Sequence, residues 1–271
     1  MKSSMRSSGK CSPMPVNDAH VHVGYFPRKG REVPFYYSPR RIFGVLNRAG
    51  VDEFIFSSTN AVWDFTGEAM HREAREMLRI AGKRAHAFFW VTDEYLKRDP
   101  NLSRLPEFYE GLKLHGGETP WLEHPRRLSR VLAIARERRF PVQIHTGEKD
   151  DKTANPISEY LPYCRKFPSV KFDLAHGKPA SEVPAAVNGH ENVYVDCAYG
   201  PADVVRQWLD AGARAERILF GSDIPVQQRL FDLSLTDCLR KSIRGFPSPE
   251  ILHKNFKSFI GGTYEYTRNI S

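Results

Sequence analysis

The sequence predicts an α/β fold, a single-domain (β/α)8 TIM barrel. Three observations predict it: eight short β-rich runs, helical patterns between them, and no linker or low-complexity stretch that would divide the chain. The runs lie at 16–23, 51–58, 84–91, 111–115, 141–146, 169–176, 192–197 and 217–223. Eight strand-then-helix units within about 250 residues are the mark of a closed parallel barrel. A doubly wound open sheet also alternates, but no Gly-x-Gly-x-x-Gly follows the first run.

Taken in order, residues 1–15 are polar, with Ser and basic residues and no apolar stretch of a secretion signal, and read as a disordered tail. The barrel then occupies 16–265. Ala49-Gly50 supplies a helix stop before the second run, Ala81-Gly82 another before the third, and Phe140-Pro141 opens the fifth. Residues 67–82 and 123–138 carry apolar positions at helical spacing. Ser248 to Gly261 reads as the last helix, which closes the barrel.

The 271 residues, 41% hydrophobic and 12% aromatic, can bury a full core. No apolar run approaches the roughly 20 residues of a membrane span. Cys11, Cys164, Cys197 and Cys238 are scattered without a Cys-x-x-Cys pair, which fits reduced thiols in the cytoplasm. The net charge of +8 is dispersed: Arg126, Arg127, Arg130, Arg136, Arg138 and Arg139 interleave with Glu123 and Glu137 in the manner of a solvated helix face. These features favour a small-molecule partner over nucleic acid or membrane and are compatible with a homo-oligomer.

Five polar residues end hydrophobic runs: His20 and His22 in the first, His145 in the fifth, His176 in the sixth and Asp223 in the eighth. Residues i and i+2 of a strand share a face, so His20 and His22 can present two imidazoles to one cation. Imidazole nitrogen and carboxylate oxygen are donors that a zinc-like ion accepts, and three or four protein ligands with an open position make a catalytic site. Any one strand-end histidine is more often a hydrogen-bonded structural residue. The joint placement carries the reading, because the C-terminal ends of barrel strands are where such folds build active sites.

Asp18-Ala19-His20-Val21-His22, Pro141-Val142-Gln143-Ile144-His145-Thr146-Gly147, Leu174-Ala175-His176-Gly177 and Leu219-Phe220-Gly221-Ser222-Asp223-Ile224-Pro225 resemble the amidohydrolase superfamily. Within it they are similar to the amidohydrolase-related (amidohydrolase 2) branch of small-molecule hydrolases, lactonases and aminocarboxymuconate-semialdehyde-type decarboxylases. Asn255-Phe256-Lys257-Ser258-Phe259-Ile260-Gly261 is similar to that branch's closing helix. The resemblance implies one divalent metal, zinc above others, held by His20, His22, His145 and Asp223, with His176 hydrogen-bonded to metal-bound water or substrate. Two positions complicate the pattern. Lys178 stands where the branch often has a second glycine after His-Gly, and could bind an anionic substrate. Lys113, in Lys113-Leu114-His115, matches a strand whose lysine is carbamylated in binuclear relatives; alternatively it packs in the lower barrel layer while His115 lines the pocket, as suits one metal.

With such a site Asp223 takes a proton from activated water and shuttles it to a leaving group, while the metal and His176 stabilise the oxyanion. The same parts would serve a non-oxidative decarboxylase of an aromatic or unsaturated carboxylic acid. Around the mouth fall Tyr25, Phe26, Arg28, Lys29, Arg31, Tyr36, Tyr37, Asn60, Trp63, Phe65, Trp90, Glu148, Lys149 and Lys152. Of these Arg28, Trp63 and Trp90, with His115 and Lys178, are the expected substrate contacts, a lining for a planar or carboxylated molecule. Asp18 lies deeper and is expected to be structural. A TatD-like deoxyribonuclease is a further alternative, although Gly111 to Gly117 lacks that group's glutamate. So is a non-catalytic ligand-binding barrel.

Overall fold

The computed structural model describes residues 15–26, 35–64, 66–150, 154–198, 202–226 and 234–261. Nearly all of the expected N-terminal tail therefore lies outside the described residues. β1 (Val16–Phe26) is followed by β2 (Phe35–Tyr37), β3 (Val51–Ser58), β4 (Ala85–Trp90), β5 (Tyr109–Leu114), β6 (Val142–His145), β7 (Phe172–Ala175), β8 (Val193–Asp196) and β9 (Ile218–Leu219). The sheet order is β2-β1-β3-β4-β5-β6-β7-β8-β9, parallel from β1 onward. The eight predicted runs are thus the eight parallel strands.

Three differences from the expectation have physical causes. β2 is a three-residue antiparallel addition that pairs Tyr36 with Tyr25, and it lengthens β1 to Phe26. β9 stops at Leu219, short of the expected 223, because the chain beyond it bends into a left-handed residue at Asp223. The closing segment is divided into a π-helical turn at Glu250–Lys254 and a short helix at Asn255–Ile260. The sheet nevertheless closes on itself. Ala19 N–H donates to Phe220 O at 2.8 Å, Asp223 N–H to His20 O at 2.7 Å and His22 N–H to Ile224 O at 2.8 Å.

Helices cover the outer face: α1 (Pro39–Ala49), α2 (Glu68–Ala81), α3 (Asp93–Arg98), α4 (Pro125–Arg138), α5 (Ile157–Lys166), α6 (Val183–Gly189), α7 (Ala202–Asp210) and α8 (Leu235–Ile243), while α9 (Asn255–Ile260) packs under the barrel interior. Their ends follow the expected chemistry. Ser38 caps α1 by accepting from Arg41 N–H, Pro39 occupies its first turn, and Gly50 ends it at φ 82°. Alternate residues such as Phe54 and Phe56 pack outward against this shell in the main core. None of the described helices is long and apolar enough to cross a membrane.

Inside the barrel, side chains stack in layers. A lower apolar layer joins Ala19, Ile55, Phe88, Tyr194 and Leu219 to Phe256 and Phe259 of α9. Gly111 leaves room there, since a Cβ on it would lie 2.6 Å from the Phe88 ring. The middle layer is polar and wholly buried: Lys113, Gln143, Asp173, Asp196 and His20. One irregularity aims that layer. Between Asp18 and Val21 β1 carries one residue more than β3, a bulge, and Asp18 Oδ1 braces it by accepting from His20 N–H at 3.1 Å and Ser222 N–H at 2.9 Å. Asp18 is therefore the structural residue expected of it.

Beneath the barrel, buried His86 lies between two carboxylates, with Glu110 Oε2 at 2.7 Å and Glu53 Oε2 at 3.3 Å, while Lys257 of α9 pairs with Glu53. Burial alone would lower the imidazole, but its hydrogen bonds to Glu110 and Glu53 outweigh that and hold it above 6.5. A raised folded-state value means that the stabilisation is complete below about 6.5 and is lost as pH rises through the folded value. His86→Gln should therefore remove a decline in melting temperature that the unaltered protein displays as pH rises from about 6.5 through the folded value. Parallel melting curves for the two proteins across that range would refute it.

Candidate metal centre

Near the middle layer three side chains from two strand ends converge, two from β1 and one from the chain after β9. His20 Nε2 lies 3.1 Å from His22 Nε2, and Asp223 Oδ1 lies 3.1 Å from His22 Nε2 and 3.7 Å from His20 Nε2. All three residues are buried. A tetrahedral cation with bonds of about 2.0–2.1 Å holds its ligand atoms about 3.3–3.4 Å apart, a spacing these distances bracket. The carboxylate also lacks a conventional donor: Asp223 Oδ1 is buried with no hydrogen-bond partner apart from its close approach to the two imidazoles. The donor set fits a divalent ion.

The outer nitrogens are anchored. His20 Nδ1–H donates to Asp196 Oδ2 at 2.9 Å, and His22 Nδ1 meets Ser57 Oγ at 3.0 Å. A hydrogen bond on one ring nitrogen fixes the tautomer and turns the other lone pair toward a metal. Asp196 Oδ1 also accepts from His176 N–H at 3.0 Å and Ala198 N–H at 2.9 Å. His20, His176 and Asp196 form a second group close enough to hold an ion. Both Asp196 oxygens already accept hydrogen bonds and the His176 ring nitrogens are engaged by Ala198 O and His145, so Asp196 reads as a positioning carboxylate here.

His145 is beside the cluster and engages His176: His176 Nε2 and His145 Nδ1 are 2.8 Å apart. His176 Nδ1 lies 3.3 Å from Ala198 O, a carbonyl that can only accept. His176 therefore carries its proton on Nδ1, and His145 Nδ1–H donates to His176 Nε2. This leaves the His145 Nε2 lone pair free. His115 stacks on His145, with centroids 4.0 Å apart, and on Trp90 at 5.4 Å; Trp90 also lies 5.6 Å from the His22 ring. Gly117 N–H donates to His115 Nδ1 at 3.1 Å, which puts the His115 proton on Nε2.

Burial keeps these rings neutral. It pushes His22 down to about 4, His115 and His176 down to about 3, and His145 well below the ordinary imidazole value. Asp223 goes the other way. Burial would raise it, but His20 and His22 beside it hold it below the usual carboxylate range. Neutral imidazoles and an ionised carboxylate are the states that bind metal.

Backbone strain marks two of these residues. His176 at φ 73° and Asp223 at φ 52° occupy the left-handed region, which costs side-chain-bearing residues on the order of 1–3 kcal/mol. Each is held by a bond to the neighbouring strand, His176 N–H to Asp196 and Asp223 N–H to His20 O.

Of the sequence-predicted residues, His20, His22 and Asp223 are brought together, while His145 and His176 adjoin them as a bonded pair. His115 and Trp90 form one wall. Lys113 is not in a lower layer: its Nζ lies 3.1 Å from His20 Nε2, because the Gly111, Lys113, His115 alternation carries it to the level of the ligands. Burial lowers its amine to about 8. Lys178 is half-buried, with its backbone N–H donating to Thr146 Oγ1 at 3.1 Å. Trp63 is 53% exposed, at the rim. Lys149 is paired with Glu182 at 3.7 Å, and Arg28, Lys29, Arg31, Phe65 and Lys152 lie outside the described residues. Asp196, Ser57 and Gln143 were not singled out by sequence. Their signal was a polar residue on the inward-facing parity of a buried strand.

The family model described as amidohydrolase matches residues 18–258. No curated protein matches the chain. Among solved structures the fold is similar to a putative 2-pyrone-4,6-dicarboxylic acid hydrolase from Pseudomonas putida, at 18% identity and TM-score 0.58 over 91% of this chain and 94% of that one. It is similar to 5-carboxyvanillate decarboxylase from Sphingomonas paucimobilis, at 12% identity and TM-score 0.60 over 91% and 99%. A 5-carboxyvanillate decarboxylase from Novosphingobium aromaticivorans, complexed with manganese and a nitrobenzoic acid, shares the fold at 12% identity and TM-score 0.53 over 81% and 79%.

Gly177, at φ 55° beside His176, backs onto Trp208, whose ring atoms would lie 2.5 Å from an added Cβ. Gly177→Ala should therefore cost about 1–3 kcal/mol from overpacking, beyond the conformational penalty. A urea denaturation midpoint equal to that of the unaltered protein would contradict this.

Proposed function

The chain belongs to the amidohydrolase family, and from that premise we propose that it is a metal-dependent hydrolase of a small, anionic, carbonyl-containing substrate, an amide, ester or lactone. The convergence of His20 Nε2, His22 Nε2 and Asp223 Oδ1, each histidine anchored from behind, is the observation that supports it most. One divalent ion, zinc by preference, would be held by these three residues together with His145 through its free Nε2. Such an ion lowers the pKa of water from 15.7 toward about 7 and polarises a carbonyl.

The chain's own residues supply the rest. Asp223, ionised and beside the ligand nitrogens, accepts the proton of the attacking water and returns it to the leaving group. His176 acts through His145, fixing its tautomer. His115 offers its Nε2–H to a substrate oxygen, and the Trp90 indole N–H is a second donor, buried without a partner. Lys113 and Lys178 supply positive charge for an anionic substrate. The buried thiols of Cys164 and Cys197 suit a cytosolic setting.

A non-oxidative decarboxylase is the second reading, favoured by the stacked Trp90, His115 and His145 rings, a wall for a planar aromatic acid. A screen of lactones, amides, esters and aromatic carboxylic acids, scored for acid release against carbon dioxide release, separates the two. On the best substrate, Asp223→Asn should retain the fold and lower turnover by about 10²–10⁴-fold. Unchanged turnover would remove Asp223 from the chemistry, and carbon dioxide release without acid release would replace the hydrolase reading with the second.

A further inference from the structure

Behind the ligand candidates, two wholly buried carboxyls converge on one amide nitrogen in the middle layer, Asp173 on β7 and Asp196 on β8. Gln143 Nε2 bridges them from β6. It donates to Ala19 O at 2.9 Å and Asp173 Oδ2 at 2.8 Å, and lies 3.4 Å from Asp196 Oδ2. The donors are unequally shared. Asp196 also accepts from the His20 ring and from the backbone N–H groups of His176 and Ala198. Among the described residues Asp173 accepts from the Gln143 N–H alone, and its Oδ1 has no donor.

Two carboxylates in contact away from water do not both ionise, and the proton goes to the one with fewer donors. Lys113 is the cation facing the pair, and it is shared with Asp223. We propose that Asp173 is a neutral carboxylic acid which donates to Asp196 and thereby serves as a positioning residue for the metal ligand His20. With its partner ionised and fully supplied with donors, Asp196 keeps the His20 Nδ1–H bond and so keeps Nε2 turned to the ligand side. The titration behaviour of Asp173 agrees: burial and the neighbouring Asp196 push it well above the carboxylate range.

This inference rests on the metal reading of the site for its positioning half, and the proton on Asp173 stands apart from it. The amide of Asn has the shape of a protonated carboxyl and can donate to Asp196, so the two members of the pair should respond oppositely to the same change. In chelator competition on the metal-loaded protein, Asp173→Asn should bind the ion nearly as the unaltered protein does. Asp196→Asn and Asp173→Leu should lose roughly 10–100-fold in metal affinity, the range for a partner behind a ligand. In an infrared difference spectrum at pH 7 between the unaltered protein and Asp173→Asn, the C=O stretch of a protonated carboxyl should belong to the unaltered protein. The band and the Asn comparison decide the matter even where Asp173→Leu does not fold. Absence of the band, or equal damage from the two Asn variants, overturns the proposal. A band persisting in a protein that binds no divalent ion would overturn the positioning role and the function reading while upholding the proton on Asp173.

Discussion

The Asp196 carboxylate, sealed on the barrel axis, is the contact on which the site depends. One oxygen holds the His20 ring and the other the backbone of His176 and Ala198. It thus ties the first barrel strand to the sixth and seventh, counting β1 and then β3 onward. Charge balance explains why such a group is tolerated. A buried ion without a counter-charge costs several kcal/mol, and Lys113 lies in the same layer. Lys113 is shared with Asp223, so one cation faces two ionised carboxylates, and Asp223 Oδ1 has no hydrogen-bond donor where it meets the His20 and His22 rings. That residual negative charge is the electrostatic reason for a cation at this point.

The candidate ligands sit where they do because the backbone is irregular in three places. The bulge before Val21 re-aims His20, and left-handed residues at His176 and Asp223 turn the ends of the sixth and eighth barrel strands inward. Asp18 and Asp196 offset the cost of these departures by accepting the backbone N–H groups they expose. Gly177 against Trp208 and Gly221 against His20 and Asp196 supply room that no larger residue leaves. Strain and close packing are therefore concentrated at the end of the barrel where the candidate chemistry lies.

Much of this was legible in the chain. Buried parallel strands are continuous apolar runs, so all eight appeared, and a histidine or aspartate that ends such a run stands out against it. β2 did not appear, because three residues carry no period and it is a strand through its pairing with Gly24, Tyr25 and Phe26. Asp196 escaped for another reason. It ends Val193-Tyr194-Val195-Asp196 much as any strand-terminal aspartate does, and its partner His20 lies 176 residues away. Lys113 could be placed on its strand but not at its height in the barrel, which depends on the irregular register between β4 and β5. Sequence alone therefore identified the ligand candidates better than the carboxyls and amide that hold them.

The central claim is that His20, His22 and Asp223 surround one divalent cation. Elemental analysis of the purified protein beside His20→Ala, with circular dichroism to confirm the fold of each, tests it most directly. The account predicts about one divalent ion per chain in the unaltered protein, as a single catalytic site requires, and loss of that ion in a folded His20→Ala. Full metal content retained by the folded His20→Ala variant would contradict it.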